Sequence, residues 1–162
     1  MNKNKTWGIA IGGMIAALYA VLTYFAAMLN LANGAIQVRF SEALTILPVF
    51  TPWAIPGLTV GCFLGNLASP YPWDLWLGPI ATLIGAAGTW LLKKKPYIAW
   101  IPPVLSNAIL VPIIIQQSMI AEGAAPDAWW YLALTVGIGE VISCGLLGIM
   151  LYQALKKTKI PF

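Results

Sequence analysis

Apolar residues fill six runs, roughly 7–29, 35–50, 54–68, 75–92, 97–118 and 128–155, and the polar residues are confined mostly to the breaks between them. Neither a period of two nor a one-sided helical stripe organises these runs, which are apolar all round, as transmembrane helices are. The first run exceeds the ~7 to 15 residues of a secretory h-region and reads as a retained helix. The second and third cover only about 22 to 24 Å at 1.5 Å per residue, against a hydrocarbon core of ~30 Å. Pro48, Pro52 and Pro56 fall at their junction and predict a tight bend there. The last run, roughly 42 Å long, must tilt or protrude.

The sequence therefore predicts an all-α integral membrane protein with six transmembrane helices, and residues 1–162 form a single membrane domain. Composition supports this, being 60% hydrophobic and 9% charged. Eight of the nine basic residues are lysines in three clusters: Lys3 and Lys5, Lys93 to Lys95, and Lys156, Lys157 and Lys159. Six spans with lysines at the start, after the fourth span and at the end place both termini in the cytoplasm by the positive-inside rule. The tryptophans divide the same way, with Trp7, Trp53, Trp90 and Trp100 at inner ends and Trp73, Trp76, Trp129 and Trp130 at outer ends. The net charge of +4 comes from the anchoring lysines, and no basic face interleaved with aromatics exists to follow a nucleic acid. Cys62 and Cys144 lie in apolar runs without metal-ligand spacing, and the chain has no histidine, so both read as packing residues.

Polar residues inside the runs mark where function should sit. Glu140 lies about ten residues inward from Trp130, near the bilayer midplane, where a charge costs at least ~2.5 kcal/mol. Asn107 falls at almost the same depth. These two are the leading candidates for ligand binding, with bonds between helices as the alternative for each. Arg39, the only arginine, is expected on the outer side with Glu42, three residues on; the two share a helix face as a salt bridge or as part of an outer vestibule. Asn66, Asp74, Trp73 and Trp76 are placed at the same level, the tryptophans either as belt residues or as a stacking surface. A vestibule richer in acids than bases, with amides nearby, suits a small planar ligand rich in hydrogen-bond donors. No nucleophile with a base and no metal cluster is visible, so no catalytic residue, metal or cofactor is expected.

No nucleotide-binding loop occurs, so active uptake would need a partner. Gly12, Ala16 and Ala20 recur every four residues on the first span, where another helix, of a partner or of the same bundle, can approach closely.

The segments Val38-Arg-Phe-Ser-Glu-Ala-Leu-Thr-Ile-Leu-Pro48, Phe50-Thr-Pro-Trp-Ala-Ile-Pro-Gly57, Gly61-Cys-Phe-Leu-Gly-Asn66 and Gly78-Pro-Ile-Ala-Thr-Leu83 resemble the queuosine-precursor transporter family. That resemblance implies a substrate-binding S component of an energy-coupling-factor (ECF) transporter in the bacterial cell membrane. It further implies a six-helix bundle docking through the first-span strip on a transmembrane coupling subunit with two ATPase subunits. The implied ligands are 7-deazaguanine bases, namely queuine and its aminomethyl or cyano precursors. An S component for another vitamin-like ligand, or a secondary carrier acting alone, is the alternative.

Overall fold

A computed structural model of the chain describes residues 3–29, 37–67, 69 and 72–158. Residues 35, 36 and 68, at the edges of two expected spans, lie outside these, as do Lys159 and the Lys3 side chain. Every regular element among the described residues is helical: α1 (Lys3–Met28), a 3-10 helix (Phe40–Val49), α2 (Ala54–Asn66), α3 (Pro72–Leu91), a short 3-10 turn (Pro96–Ile98), α4 (Ile101–Ala121), α5 (Trp129–Glu140), a π-helical segment (Val141–Leu147) and α6 (Gly148–Lys157). Three stretches are long and apolar enough to cross a membrane, Lys5–Met28, Pro96–Ala121 and Trp129–Lys157. They make this a multi-pass membrane protein.

The small residues of α1 face the chain's own α2. A Cβ on Gly57 would stand 2.6 Å from the Gly12 carbonyl oxygen, and one on Gly61 would stand 2.8 Å from that of Ala16. Trp53, in the turn before α2, occupies the space over Gly8. Gly57, Gly61 and Gly65 thus supply a second four-residue repeat that interlocks with Gly12, Ala16 and Ala20, all buried. Of the two uses expected for the strip, the structure shows close backbone approach inside the bundle. The other side of α1, with Ile9, Met14, Leu18, Val21 and Phe25, is exposed.

The second expected span is not an α-helix. Residues 37–39 are extended, and Phe40–Val49 then form a 3-10 helix of 10 residues, far beyond the usual 3–4. Seven of its residues, Ser41, Glu42 and Leu44 to Pro48, are buried, and α1, α2, α3, α6 and the π-helical segment all pack on it. Burial on every side outweighs the poorer 3-10 hydrogen-bond geometry, and Pro48 removes one donor an α-helix would need. Side chains three apart eclipse in such a helix, so Glu42 and Thr45 share one edge. The predicted tight bend follows, with the Phe50 and Thr51 N–H groups both donating to the Leu47 carbonyl at 2.9 and 3.2 Å.

α3 and α4 meet through glycine and proline: a Cβ on Gly85 would lie 2.7 Å from Pro103 Cα, and one on Gly88 2.4 Å from Pro102 Cβ. The turn between them carries Lys93 to Lys95, with Lys93 Nζ 3.3 Å above the Trp90 ring. α5, the π-helical segment and α6 run on as one rod of 29 residues, the expected last span.

Candidate functional site

A cavity of about 470 Å³ opens at one end of the bundle. Its walls come from the C-terminal ends of α1 (Thr23, Tyr24, Ala26, Ala27), α2 (Gly65, Asn66) and α4 (Val111, Ile114, Ile115, Ser118, Met119), from Asp74 in the first turn of α3, and from Gln37, Arg39, Ser69 and Glu122. The turn bearing Lys93 to Lys95 and the α6 lysines belong to the opposite end. Three of the predicted residues, Arg39, Asn66 and Asp74, meet in this wall. Asn66 Nδ2 donates to the Asp74 carbonyl at 2.8 Å, and the absence of a side chain on Gly78 leaves room for that amide. Asp74, Glu140 and Glu42 are the acidic neighbours of Arg39.

Trp73 and Trp76 lie outside the cavity and are exposed at 52% and 65%. Trp76 instead lines a shallow apolar groove with Phe63, Pro79 and Leu83 on the bundle surface, the setting of a belt residue.

Beneath the cavity sits a second group. Tyr19 and Asn107 each lie four residues, about 6 Å or just over one helical turn, before the wall residues Thr23 and Val111. They face Glu42 of the 3-10 helix and Glu140 at the end of α5. Both glutamates are almost fully buried, at 2% and 4% exposure. A carboxylate oxygen from each and the Cys144 sulfur lie within 4.8 Å of one another. Two carboxylates this close repel unless donors or cations stand nearby. Tyr19 donates its hydroxyl to Glu42 Oε1, Cys144 donates its thiol to Glu140 Oε2 at 3.1 Å, and the Asn107 amide stands by both. Among the described residues Glu42 Oε2 has no hydrogen-bond partner. With the thiol engaged with Glu140, the group presents carboxylate oxygens as hydrogen-bond acceptors.

The backbone positions these groups as much as the side chains do. Gly139 lets residues 37–39 run directly over α5: a Cβ there would stand 2.0 Å from the Gln37 carbonyl oxygen. The Arg39 N–H then donates to Ser143 Oγ at 3.1 Å, and Ser143 donates to the Gly139 carbonyl at 3.0 Å. Thr45 Oγ1 donates to the Glu42 carbonyl at 2.6 Å and lies 3.4 Å from Cys144 Sγ, tying the 3-10 helix to the π-helical segment. π-Helical turns recur at functional sites because they re-aim side chains that an α-helix would stagger.

Depth along the chain pairs Glu140 with Asn107, and the structure brings both to the buried group. It adds Glu42, which sequence reasoning set at the rim beside Arg39. Tyr19, Ser143 and Cys144 were not singled out as site residues, nor were Gln37, Ser118 and Glu122 in the cavity wall. Tyr19 carried a readable signal, a phenol in the middle of an otherwise apolar span, which needs a hydrogen-bond partner wherever it is buried.

Over 85 residues the chain is 35% identical to the "Queuosine precursor transporter QueT" of Lactococcus lactis subsp. cremoris (strain MG1363), a match covering 52% of this chain and 50% of that relative. The aligned part thus spans half the length of the curated relative. No solved structure matches the chain. The model of the QueT transporter family matches residues 9–157, and on that match the chain belongs to the QueT transporter family, a family of bacterial membrane transporters.

Proposed function

We propose that the protein is the substrate-capturing subunit of an ATP-driven ECF importer for queuosine precursors, 7-deazaguanine bases such as queuine and its aminomethyl or cyano precursors. The observation that carries this reading is the buried acceptor group under an open cavity. Glu140 and Glu42 offer carboxylate oxygens, and Asn107 offers an amide, at the foot of a space of about 470 Å³. Small-molecule sites run roughly 300–1,000 Å³ with a few convergent polar groups, which is the arrangement here. A deazaguanine presents adjacent N–H donors that one carboxylate accepts together, and a carbonyl that the Asn107 amide can meet. The cavity wall, with Asp74 and Glu122 against Arg39, then faces the amine-bearing arm of the larger precursors.

In this reading the cavity end is the outer end, opposite the lysines, and both termini are cytoplasmic across six membrane passes. The chain carries no nucleotide-binding loop, so hydrolysis belongs to two ATPase subunits acting through a transmembrane coupling subunit. With Gly12, Ala16 and Ala20 packed on α2, that coupling subunit meets the bundle on another face.

A secondary carrier acting alone is the second reading, favoured by the meeting of Glu42 with Glu140, since two buried carboxylates can pass a proton. Purified protein in liposomes, with and without an ECF coupling and ATPase module, separates the two. Calorimetric binding of queuine or its aminomethyl precursor together with uptake only when the module and ATP are present supports the importer. Uptake by the chain alone, driven by a proton gradient, replaces it with the carrier, and failure to bind any deazaguanine sinks the ligand assignment.

A further inference from the structure

We infer that Glu42 and Glu140 together grip one exocyclic amino group of the ligand, each accepting one of its two hydrogens, so that a free 2-amino group is the feature the site selects. The inference rests on the 7-deazaguanine reading and adds the source of its specificity.

Tyr19 donates to Glu42 Oε1 and Cys144 donates to Glu140 Oε2, with the Asn107 amide beside both carboxylates. Glu42 Oε2 is buried and has no hydrogen-bond partner among the described residues. An unsatisfied carboxylate oxygen in a residue only 2% exposed is costly unless a ligand donor meets it. The spacing suits a donor with two hydrogens to give. An –NH₂ nitrogen donating to two oxygens at about 2.9 Å, along N–H directions ~120° apart, holds those oxygens about 5 Å from each other. Glu42 and Glu140 each bring a carboxylate oxygen to within 4.8 Å of the other, so one –NH₂ group can reach both residues. A single ring N–H cannot bridge them, and a hydroxyl has only one hydrogen to give. Tyr19 and Cys144 act as positioning residues, fixing which oxygen of each carboxylate is left to accept.

The test uses the full-length protein in detergent, titrated calorimetrically with 7-deazaguanine, its N2-methyl derivative and 7-deazahypoxanthine, which lacks the amino group. Unmodified protein should lose about 10-fold in affinity for the methylated base and about 100-fold or more for the base without the amino group, as one and then both acceptors go unpaired. Glu42→Gln should weaken 7-deazaguanine about 10-fold or more and leave the already weak 7-deazahypoxanthine unchanged. Equal affinity of the unmodified protein for all three bases overturns the inference without touching the deazaguanine reading, and so does a Glu42→Gln loss of the same size on every base. If 7-deazaguanine and queuine both fail to bind, the functional reading falls and the inference with it. The ligand series on unmodified protein decides the matter even if Glu42→Gln does not fold.

Discussion

The carbonyl oxygen of Gln37 occupies the place where a side chain on residue 139 would begin, 2.0 Å from a Cβ built on Gly139. This contact lets the extended residues 37–39 lie across α5, delivers the Arg39 N–H to Ser143, and starts the 3-10 helix at the depth that brings Glu42 to Glu140. Gly139→Ala must push that segment outward, since the obstructing atoms are backbone. The substitution should cost about 1–3 kcal/mol of stability and, by separating the two glutamates, at least 10-fold in ligand affinity. Thermal unfolding in detergent and calorimetric titration with queuine check the two effects. Unchanged affinity would show that residues 37–39 do not set the site.

Glu140→Gln replaces an acceptor-only group with one that also donates. One carboxylate oxygen that took the Cys144 thiol or a ligand donor becomes an amide N–H facing another donor. Binding of queuine should weaken by about 1–3 kcal/mol, and Asn107→Ala, which removes the amide beside both carboxylates, should weaken it by a similar amount. Titration measures both. Wild-type affinity in the two variants together would remove the buried group from the binding site.

Much of this molecule was legible in its sequence. The runs from 54, 75, 97 and 128 onward each became helices near the expected places because their apolar character leaves few other states, and the lysines and Arg39 fell at opposite ends of the bundle. The 35–50 run was misread, because an apolar stretch looks the same whether it faces lipid or is buried among other helices. Only packing separates the two cases, and packing from several elements selected a long 3-10 helix. The same gap displaced Glu42: an inward-diving backbone cannot be seen from residue spacing. For the small-residue strip on α1 the sequence held the answer unread, since Gly57, Gly61 and Gly65 repeat at the same interval and meet it.

That interlock makes a stability prediction. Gly61→Leu places a branched side chain where even a Cβ meets Tyr19 Cβ at 2.7 Å and the Ala16 carbonyl at 2.8 Å. α1 and α2 must separate, with a cost of about 3 kcal/mol or more, at the upper end of ordinary overpacking. Because Tyr19 is at the contact and donates to Glu42, ligand affinity should fall along with the midpoint of thermal unfolding. Ala16→Trp should behave the same way, losing fold and binding together. A stable Ala16→Trp protein that binds ligand normally would mean the strip is open after all.

Orientation in the membrane is open to a direct chemical test, and the structure says how to set it up. Cys62 and Cys144 are 2% and 1% exposed, so an impermeant thiol reagent should leave the native protein on intact cells unlabelled. If a background without them is wanted, Cys144→Ser keeps a donor for Glu140, which Cys144→Ala would remove. Single cysteines are then placed at Lys94, in the α3–α4 turn, and at Asp127, in the exposed loop before α5; both positions are exposed. With the lysine-bearing end in the cytoplasm, the cysteine at 127 should react on intact cells and the one at 94 only after the membrane is permeabilised. Both sites stand at opposite ends of helices flanking the cavity, so the result also assigns the face from which a ligand enters. Labelling at 94 alone on intact cells would invert the protein, open the cavity to the cytoplasm and turn capture from outside into an untenable reading.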